Sequence, residues 1–255
     1  MDFKTMIAQQ HLRGKGVEFG ALQNPLPIDS SSAEVLYADR LTKDQALDLF
    51  PELEEARDNI VDPDVVFDAN IDDFNVLNKH DFDFIIANHF IEHLVNPIRF
   101  LKGVSDVMKT GAQLLLTVPD KDHTFDRNRE LTTNAHLWTD FENDEQGLCN
   151  AHIREFLRNK EPVNNIHPAV VKYFTENGLP LSYYNGNRIP LNPLKRSRLY
   201  KFHRERSIHV HVWNRKTFNE FLLWINQKLE LGFEIQDFDA GNPNKGEMIY
   251  LLRKR

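Results

Sequence analysis

Residues 82–120 read FDFIIANHFIEHLVNPIRFLKGVSDVMKTGAQLLLTVPD, and this stretch decides the fold class. It contains two apolar runs, at 84–87 and 112–118, and such runs are typical of strands buried on both faces of a parallel sheet. Between them, residues 97–109 have the spacing of an amphipathic helix, followed by Gly111 in the position of a left-handed C-cap. The stretch therefore predicts a strand–helix–strand unit of an α/β protein.

Shorter patterns before and after this unit extend the same architecture. Further strands are predicted at GVEF (16–19), VLYADR (35–40), DVVFDA (64–69), IHVHVW (208–213), FEIQDFDA (233–240) and EMIYLLRK (247–254). Helices are predicted over 42–57, with a break at Pro51, and over 216–231, with Thr217 as the N-cap. The last two strands are expected to form a hairpin around GNPNKG (241–246).

Three regions of one domain follow from these patterns. Residues 1–120 are predicted to be a cofactor-binding half, and 121–207 an irregular insertion for substrate or partner. The insertion is too long for a plain connection, so a functional role is expected. Residues 208–255 are predicted to complete the sheet with a strand, a helix and the hairpin.

Composition and charge exclude several classes of protein. The net charge of −7 argues against general nucleic-acid binding, and no apolar run approaches the roughly 20 residues of a membrane span. Cys149 is the only cysteine, so an internal disulfide is impossible, and the N-terminal stretch lacks an apolar signal core. We therefore predict a cytoplasmic protein. A basic run at 188–206 predicts contact with an anionic acceptor, a docking patch or a solvated surface loop.

The ends of four predicted strands carry the candidate ligand-binding residues. In open parallel sheets, ligands bind beyond the carboxyl ends of the strands. Gly20 lies where the chain leaves the first strand, and Asp39 follows it by 19 positions. That spacing is close to the roughly 20 residues that separate a glycine loop from the acid that binds ribose hydroxyls.

The loop after the first strand indicates which cofactor is bound. It reads Gly20-Ala21-Leu22-Gln23-Asn24-Pro25, which is not the G-x-G-x-x-G of dinucleotide-binding proteins. Pro25 and Pro27 remove backbone amides that a pyrophosphate would need. The loop thus argues against NAD or FAD and is compatible with a nucleoside cofactor that has no phosphates. S-adenosylmethionine is the common cofactor of that kind.

Residues 82–120 resemble the region from the fourth to the fifth strand of class I S-adenosylmethionine-dependent methyltransferases. In that family the pattern is a strand, a turn, Glu-His-Leu, a helix, a Lys-Pro-Gly-Gly-like corner and a strand that ends in Val-Pro. Thr110 and Ala112 depart from the usual Pro and Gly of the corner. More narrowly, four segments resemble a bacterial subgroup often encoded near genes for cell-surface polysaccharides or glycosyltransferases: VEFGALQNPLPI, VLYADRL, VPDKDHTFDRNRE and HVHVW.

The resemblance implies a Rossmann-like class I methyltransferase fold. Its sheet would have seven mostly parallel strands with an antiparallel last strand and a long insertion after strand five. It also implies a set of cofactor-binding residues at the strand ends. They are Glu18, Gly20 and Ala21 for the first loop, Asp39 for the ribose, Asp68 and Ala69 (or Asp72) for the adenine side, and Asn88 and His89 after the fourth strand.

Candidate catalytic groups lie in the second half of the chain. Methyl transfer to a hydroxyl requires alignment and a proton acceptor, and histidine suits that task because its pKa lies near neutrality. The candidates are Asp120 and His123 after the fifth strand, His152 in the insertion and His211 in the IHVHVW strand. His93 is expected to cap or pack, and the histidines that alternate in IHVHVW give only weak support for a metal site, so none is predicted.

Two functions remain open at this point. The first is methyl transfer from S-adenosylmethionine to a small-molecule or glycan acceptor, such as a sugar hydroxyl. The second is a methyltransferase-like binding module without activity, which docks a glycosyltransferase or another partner. The first loop motivates the second function, because it has one glycine where most methyltransferases have two or three.

Overall fold

A mixed sheet organises the residues that this computed structural model describes, which are 2–80, 82–185, 188–238, 242 and 244–255. Within them the sheet has seven strands in the order β3-β2-β1-β4-β5-β7-β6. The strands are β1 (Gly14–Phe19), β2 (Ala33–Asp39), β3 (Val65–Val66), β4 (Phe82–Asn88), β5 (Met108–Pro119), β6 (Phe233–Asp237) and β7 (Glu247–Lys254). The first five strands run parallel, and β7 lies antiparallel between β5 and β6. The predicted fold class is confirmed.

Helices cover both faces of this sheet and build the long insertion. The α-helices are α1 (Phe3–His11), α2 (Lys43–Leu49), α3 (Pro97–Val107), α4 (Asn134–Glu142), α5 (Asn150–Asn159), α6 (Pro168–Glu176), α7 (Ser182–Asn185), α8 (Pro193–Arg206) and α9 (Arg215–Lys228). Shorter 3-10 helices lie at Pro51–Asn59, Phe74–His80, Ile91–His93 and Lys121–His123. No helix among the described residues is long and apolar enough to cross a lipid bilayer.

Alternation along the strands divides the apolar side chains between two faces. In β4, Ile85 packs in a core with α3 and α9, whereas Phe84 and Ile86 pack in a second core with α1. All three side chains are fully buried. The apolar run at 84–87 therefore is a central strand that is covered on both faces, as predicted.

A third apolar core lies outside the sheet, in the segment from α5 to α8, which we call the helical cap. It is built mainly from aromatic and aliphatic side chains of the cap itself, including Phe156, Phe174 and Phe202, together with Ile208 and Val210. The prediction of an irregular insertion was wrong, because most of 134–206 is helical. In α8 the buried residues lie among charged ones rather than on a continuous apolar stripe, so periodicity did not reveal the helix.

Several predicted boundaries differ from the observed ones for local reasons. The helix predicted over 42–57 ends at Leu49 and continues as a 3-10 helix from Pro51, which confirms the predicted break. The helix α9 is capped by Asn214, whose side chain accepts from the amide of Thr217, so Thr217 is not the N-cap. The helix α1 was not predicted.

Two strand predictions and one cap prediction also need correction. The DVVFDA strand is reduced to Val65–Val66. The IHVHVW segment is extended but forms only an isolated bridge, between Asp120 and Trp213, and adds no strand to the sheet. Gly111 is not the C-cap of α3, because α3 already ends at Val107. Its φ of 87° is left-handed, but it lies within β5, where the register with β4 shifts.

The predicted β6–β7 hairpin is present as an antiparallel pair. Part of its GNPNKG turn, Gly241 and Pro243, lies outside the described residues, as do the last two residues of the predicted FEIQDFDA strand.

Candidate functional site

Two adjoining cavities lie at the carboxyl ends of β1, β2 and β4. The smaller has a volume of about 300 Å³ and the larger about 770 Å³. Gly20, Leu22, His89 and His93 line both, so the cavities meet along these four residues. This is the edge of the sheet where an open parallel fold binds its ligands.

The smaller cavity combines acidic and apolar groups. The Asp39 carboxylate lies at the end of β2 and accepts a hydrogen bond of 3.2 Å from the Leu41 amide. Burial raises the pKa of Asp39 above its ordinary value. Phe50 and Phe67 add apolar surface to the same cavity. A carboxylate that can accept from two hydroxyls, in a cavity with apolar surface, fits an adenosine.

Asp68 and Ala69 also line the smaller cavity, as the resemblance implies. Asp68 accepts hydrogen bonds from both the backbone and the side-chain nitrogen of Asn70, at 2.9 and 3.1 Å. The alternative acid, Asp72, instead accepts from the backbone amide of Asp68 at 2.7 Å and does not line the cavity. The structure thus places Asp68 rather than Asp72 at the site.

Gly20 permits the close approach that the first loop requires. Its φ of 68° lies in the left-handed region, and a Cβ atom there would come within 2.6 Å of the Phe90 ring. No other residue type fits without displacing Phe90 or straining the backbone. One glycine is therefore sufficient for the turn out of β1, and Ala21 and Leu22 continue the wall.

Glu18 does not line either cavity, so its assignment as a cofactor contact needs correction. The side chain is fully buried and both carboxylate oxygens lie 3.1 Å from the Leu26 amide. Burial raises the pKa of Glu18 to about 7. Glu18 thus holds the loop around Pro25 and Pro27 in place by satisfying an amide between the two prolines.

We expect the Glu18→Gln variant to remove a pH dependence of stability. The folded-state pKa of about 7 exceeds the ordinary 4.5, so the stabilisation is present below pH 4.5 and is lost as pH rises through 7. When the pH is raised from 5 to 7.5, the unfolding free energy of the wild type should fall by about 2 kcal/mol relative to that of the variant. Urea denaturation at both pH values measures this shift. The exposed Glu34→Gln is the control, and an equal shift in both variants would contradict the assignment.

Asn88 is the last residue of β4 and His89 follows it, as the resemblance implies. His89 lines both cavities and has a φ of 50°, a left-handed conformation that side chains rarely adopt. Its Nε2 lies 3.0 Å from the Glu247 carboxylate, which also pairs with Lys4 at 3.0 Å. Burial lowers the pKa of His89, but Glu247 and Glu92 outweigh burial and raise it to about 9. The imidazole is therefore a cation at neutral pH.

The four predicted catalytic residues do not line these cavities. Asp120 accepts from the Asp122 amide at 2.9 Å and so caps the short helix that contains His123. His211 is buried and its Nε2 donates to the Val95 carbonyl at 3.0 Å, with its ring packed against His136. Burial lowers the pKa of His211 to about 3.

His152 belongs to the same separate cluster, because its ring lies 5.7 Å from that of His136 and 6.4 Å from that of His211. Neither His152 nor His211 lines either cavity, so the structure does not support a direct role for them in transfer. Their positions in the sequence do not indicate that they lie away from the cavities, because their location depends on how the insertion packs against the sheet.

Residues that sequence reasoning missed lie at the junction of the cavities. His93 lines both, its Nδ1 donates to the Ile208 carbonyl at 2.9 Å, and its neighbour Glu92 is fully buried. His209 lies beside them, with its ring 4.9 Å from that of His93. Glu92 and His93, which begin four residues beyond the end of β4, are a usable signal, whereas the expectation for His93 is that it caps or packs.

Most basic residues of the run at 188–206 lie on the surface or bond to the helical cap. Arg206 alone among its basic residues lines the smaller cavity, where it pairs with Glu52 and donates to the Leu49 carbonyl at 2.6 Å. Arg204 and Arg198 instead bond to carbonyl oxygens of Leu148 and Asn177. The structure therefore places one side chain of this run, already paired with an acid, at the site.

The site and fold define a class of protein. Residues 14–160 match the family model described as a methyltransferase domain. The chain belongs to this family. The predicted methyltransferase family is thereby confirmed. A search of curated proteins gave no match.

Solved structures of similar fold come from several methyltransferases. The CurJ carbon methyltransferase is 14% identical, with 98% of this chain and 53% of that chain covered and a TM-score of 0.45. A SAM-dependent methyltransferase from Thermotoga maritima is 14% identical, with 99% and 88% covered and a TM-score of 0.43. The N-terminal domain of EvdMO1, solved in the presence of SAH and D-fucose, is 15% identical, with 99% and 83% covered and a TM-score of 0.43. The chain thus spans about half the length of the CurJ chain, and 65% of a similar chain from Bordetella parapertussis.

Proposed function

We propose that this protein transfers a methyl group from S-adenosylmethionine to a hydroxyl of a small-molecule or glycan acceptor bound in the larger cavity. The observation that supports this most is the shared wall of the two cavities at Gly20, His89 and His93. A cofactor in the smaller cavity and an acceptor in the larger would meet at that wall. Sugar O-methylation in the synthesis of a surface polysaccharide is the narrower form of the proposal.

The lining of the larger cavity supports a polar acceptor. Amide side chains of Gln23, Asn24, Asn59 and Asn88 line it, together with Lys4. Amides both donate and accept hydrogen bonds, which matches the hydroxyl groups of a sugar or another polyol. A purely apolar acceptor would leave these groups without partners at a cost in affinity.

The protein's contribution to transfer is positioning. The cofactor supplies an activated methyl group, and the rate gain comes from holding an acceptor oxygen in line with it. Asp39 and Asp68 fix the nucleoside, and Gly20 allows the backbone to approach it. His89 at the junction is a cation at neutral pH. It can therefore donate a hydrogen bond to the acceptor, but it cannot take up the proton of the acceptor hydroxyl.

Calorimetry with S-adenosylhomocysteine tests cofactor binding, and a radiolabelled methyl assay tests transfer. We expect micromolar binding of S-adenosylhomocysteine to the full chain. In the assay, label should pass to a polyol acceptor from a panel of free sugars, nucleotide-sugars and lipid-linked saccharides. No heat of binding at millimolar S-adenosylhomocysteine would overturn the proposal.

A binding module without methyltransferase activity is the second candidate. The observation in its favour is the first loop, which is closed by two prolines and by the Glu18 contact to the Leu26 amide. It predicts no label transfer to any acceptor, and a stable complex with a glycosyltransferase or other partner. Label transfer to any member of the panel excludes it.

A further inference from the structure

Glu92, His93 and His209 converge beside the junction of the two cavities, and we refer to them as the Glu–His–His cluster. Each offers one ligand atom, and the three atoms lie within 4.8 Å of one another. The Glu92 Oε1 lies 3.8 Å from the His93 Nε2. Two atoms bound to one zinc ion at about 2.1 Å each lie roughly 3–3.5 Å apart, so this pair is a few tenths of an ångström from that spacing, and the other two pairs are at most 4.8 Å apart.

Both imidazoles are held through Nδ1, which leaves Nε2 to face a ligand. The His93 Nδ1 donates to the Ile208 carbonyl at 2.9 Å. The His209 Nδ1 donates to the Asp126 carboxylate at 2.6 Å, and Asp126 is fixed in turn by Arg129 at 2.9 Å. Metal-binding histidines are typically held by an outer carbonyl or carboxylate, since this fixes the ring and its tautomer.

Glu92 has a buried carboxylate whose hydrogen bonding is incomplete. Its side chain is 1% exposed, and neither oxygen accepts a hydrogen bond from any residue that the structure describes. The nearest possible cations are the rings of His89 and His93, at 3.6 and 3.8 Å. Oε1 thus has the charged His89 ring as an ionic partner, while Oε2 has no hydrogen bond among the described residues. Buried carboxylates are normally hydrogen-bonded, paired with a charge or bound to a metal, so Oε2 is available to an ion.

We propose that the Glu–His–His cluster binds a divalent first-row transition-metal ion, with zinc as the reference ion. Two imidazoles and one carboxylate suit such ions better than they suit magnesium or calcium, which prefer oxygen ligands throughout. Three protein ligands leave a coordination position open, and His93 is the one of the three that lines both cavities, so an acceptor would approach the ion from the His93 side.

The ion's role in transfer rests on the proposed function. An acceptor hydroxyl at the open position would be polarised and would lose its proton more easily. The acceptor oxygen's electron pair then forms the new O–C bond, the electron pair of the C–S bond stays with sulfur, and the hydroxyl proton passes to solvent. The cluster thereby selects acceptors whose reacting hydroxyl can reach the ion.

A second cluster, of His136, Asp140 and His152, also brings three ligand atoms within 4.8 Å. It lines neither cavity, and the His136 Nε2 already pairs with Asp140 at 3.3 Å. We therefore favour the Glu–His–His cluster, and the variants below distinguish the two.

The test is metal binding by the full chain after treatment with a chelator. Cobalt(II) is titrated and followed by its visible absorption, and zinc(II) by calorimetry. We expect about one ion per chain, and Glu92→Gln and His209→Gln should weaken binding about 100-fold or more. Glu92→Gln keeps the shape of the side chain and removes a buried charge, so the metal-free variant should melt no lower than the wild type. His152→Gln, in the rival cluster, and the exposed His167→Asn should bind cobalt like the wild type.

Two outcomes would overturn the proposal. One is the absence of stoichiometric binding by the wild type, and the other is unchanged binding in Glu92→Gln and His209→Gln with loss in His152→Gln. The thermal shift with S-adenosylhomocysteine is recorded on the same samples. If the metal binds and S-adenosylhomocysteine does not, the metal site stands and the proposed function fails. If S-adenosylhomocysteine binds and the metal does not, the metal site fails and the proposed function stands.

Discussion

The Asp39→Ala variant is expected to lose the rise in melting temperature that S-adenosylhomocysteine gives the wild type. Asp39 lies in the wall of the smaller cavity, and its carboxylate has further capacity to accept hydrogen bonds from two vicinal hydroxyls. Hydrogen bonds to a charged group each contribute roughly 1.5–3 kcal/mol, so loss of the pair should weaken binding by about 100-fold or more. Calorimetry and thermal melts measure the change.

Two further variants make this result specific. Asp39→Asn keeps the shape and one acceptor oxygen, and its affinity should lie between those of the wild type and Asp39→Ala. Asp48→Ala removes an exposed acid from α2 and should bind like the wild type. If Asp39→Ala bound S-adenosylhomocysteine as tightly as Asp48→Ala does, the smaller cavity would not be the nucleoside site.

The Arg129→Met variant is expected to lower the free energy of unfolding by about 3–5 kcal/mol, because it leaves buried acceptors without their cation. The Arg129 side chain is 1% exposed and pairs with Asp126 and Glu155. It also donates to the carbonyl of His209 at 2.8 Å. For a chain of this size the loss corresponds to a fall in melting temperature on the order of 10 °C.

Arg127 supplies the matched control two residues away. Its side chain is 57% exposed and pairs with Glu161 at 3.0 Å. An exposed pair of this kind contributes less than about 1 kcal/mol, so Arg127→Met should melt within a few degrees of the wild type. Equal effects of the two substitutions, measured by calorimetry or urea denaturation, would show that burial of the Arg129 network does not stabilise the fold.

Much of the sheet was predictable from sequence because its signals are local. The run at 84–87 and the acids and glycine at strand ends depend on neighbours within a few residues, and the structure places Gly20, Asp39 and Asp68 in one cavity wall. The IHVHVW segment is a case in which the local pattern predicts the wrong structure. It alternates like a strand, but its backbone pairs with the sheet only at Trp213, while the Val210 amide donates to the Glu92 carbonyl.

The site was harder to predict because it depends on contacts between distant segments. His209 and His211 are two residues apart, yet one contacts Asp126 and the other the Val95 carbonyl, so they join different clusters. A sequence gives the residue types but not which cluster each one joins. Glu92 shows the same limit, since its burial follows from the segment around Val210 that covers it.

The helical cap has consequences for how proteins of this architecture diversify. Its apolar side chains pack mainly against one another rather than against the sheet, and its last helix ends at Arg206 in the wall of the smaller cavity. Substitutions within α5–α8 can therefore reshape the approach to the junction while the packing of β1, β4 and β5 stays the same. The cap contributes Arg206 to the smaller cavity and none of the residues that line the larger one, so exchange of the cap between relatives would change the wall of the smaller cavity and leave the lining of the larger cavity as it is.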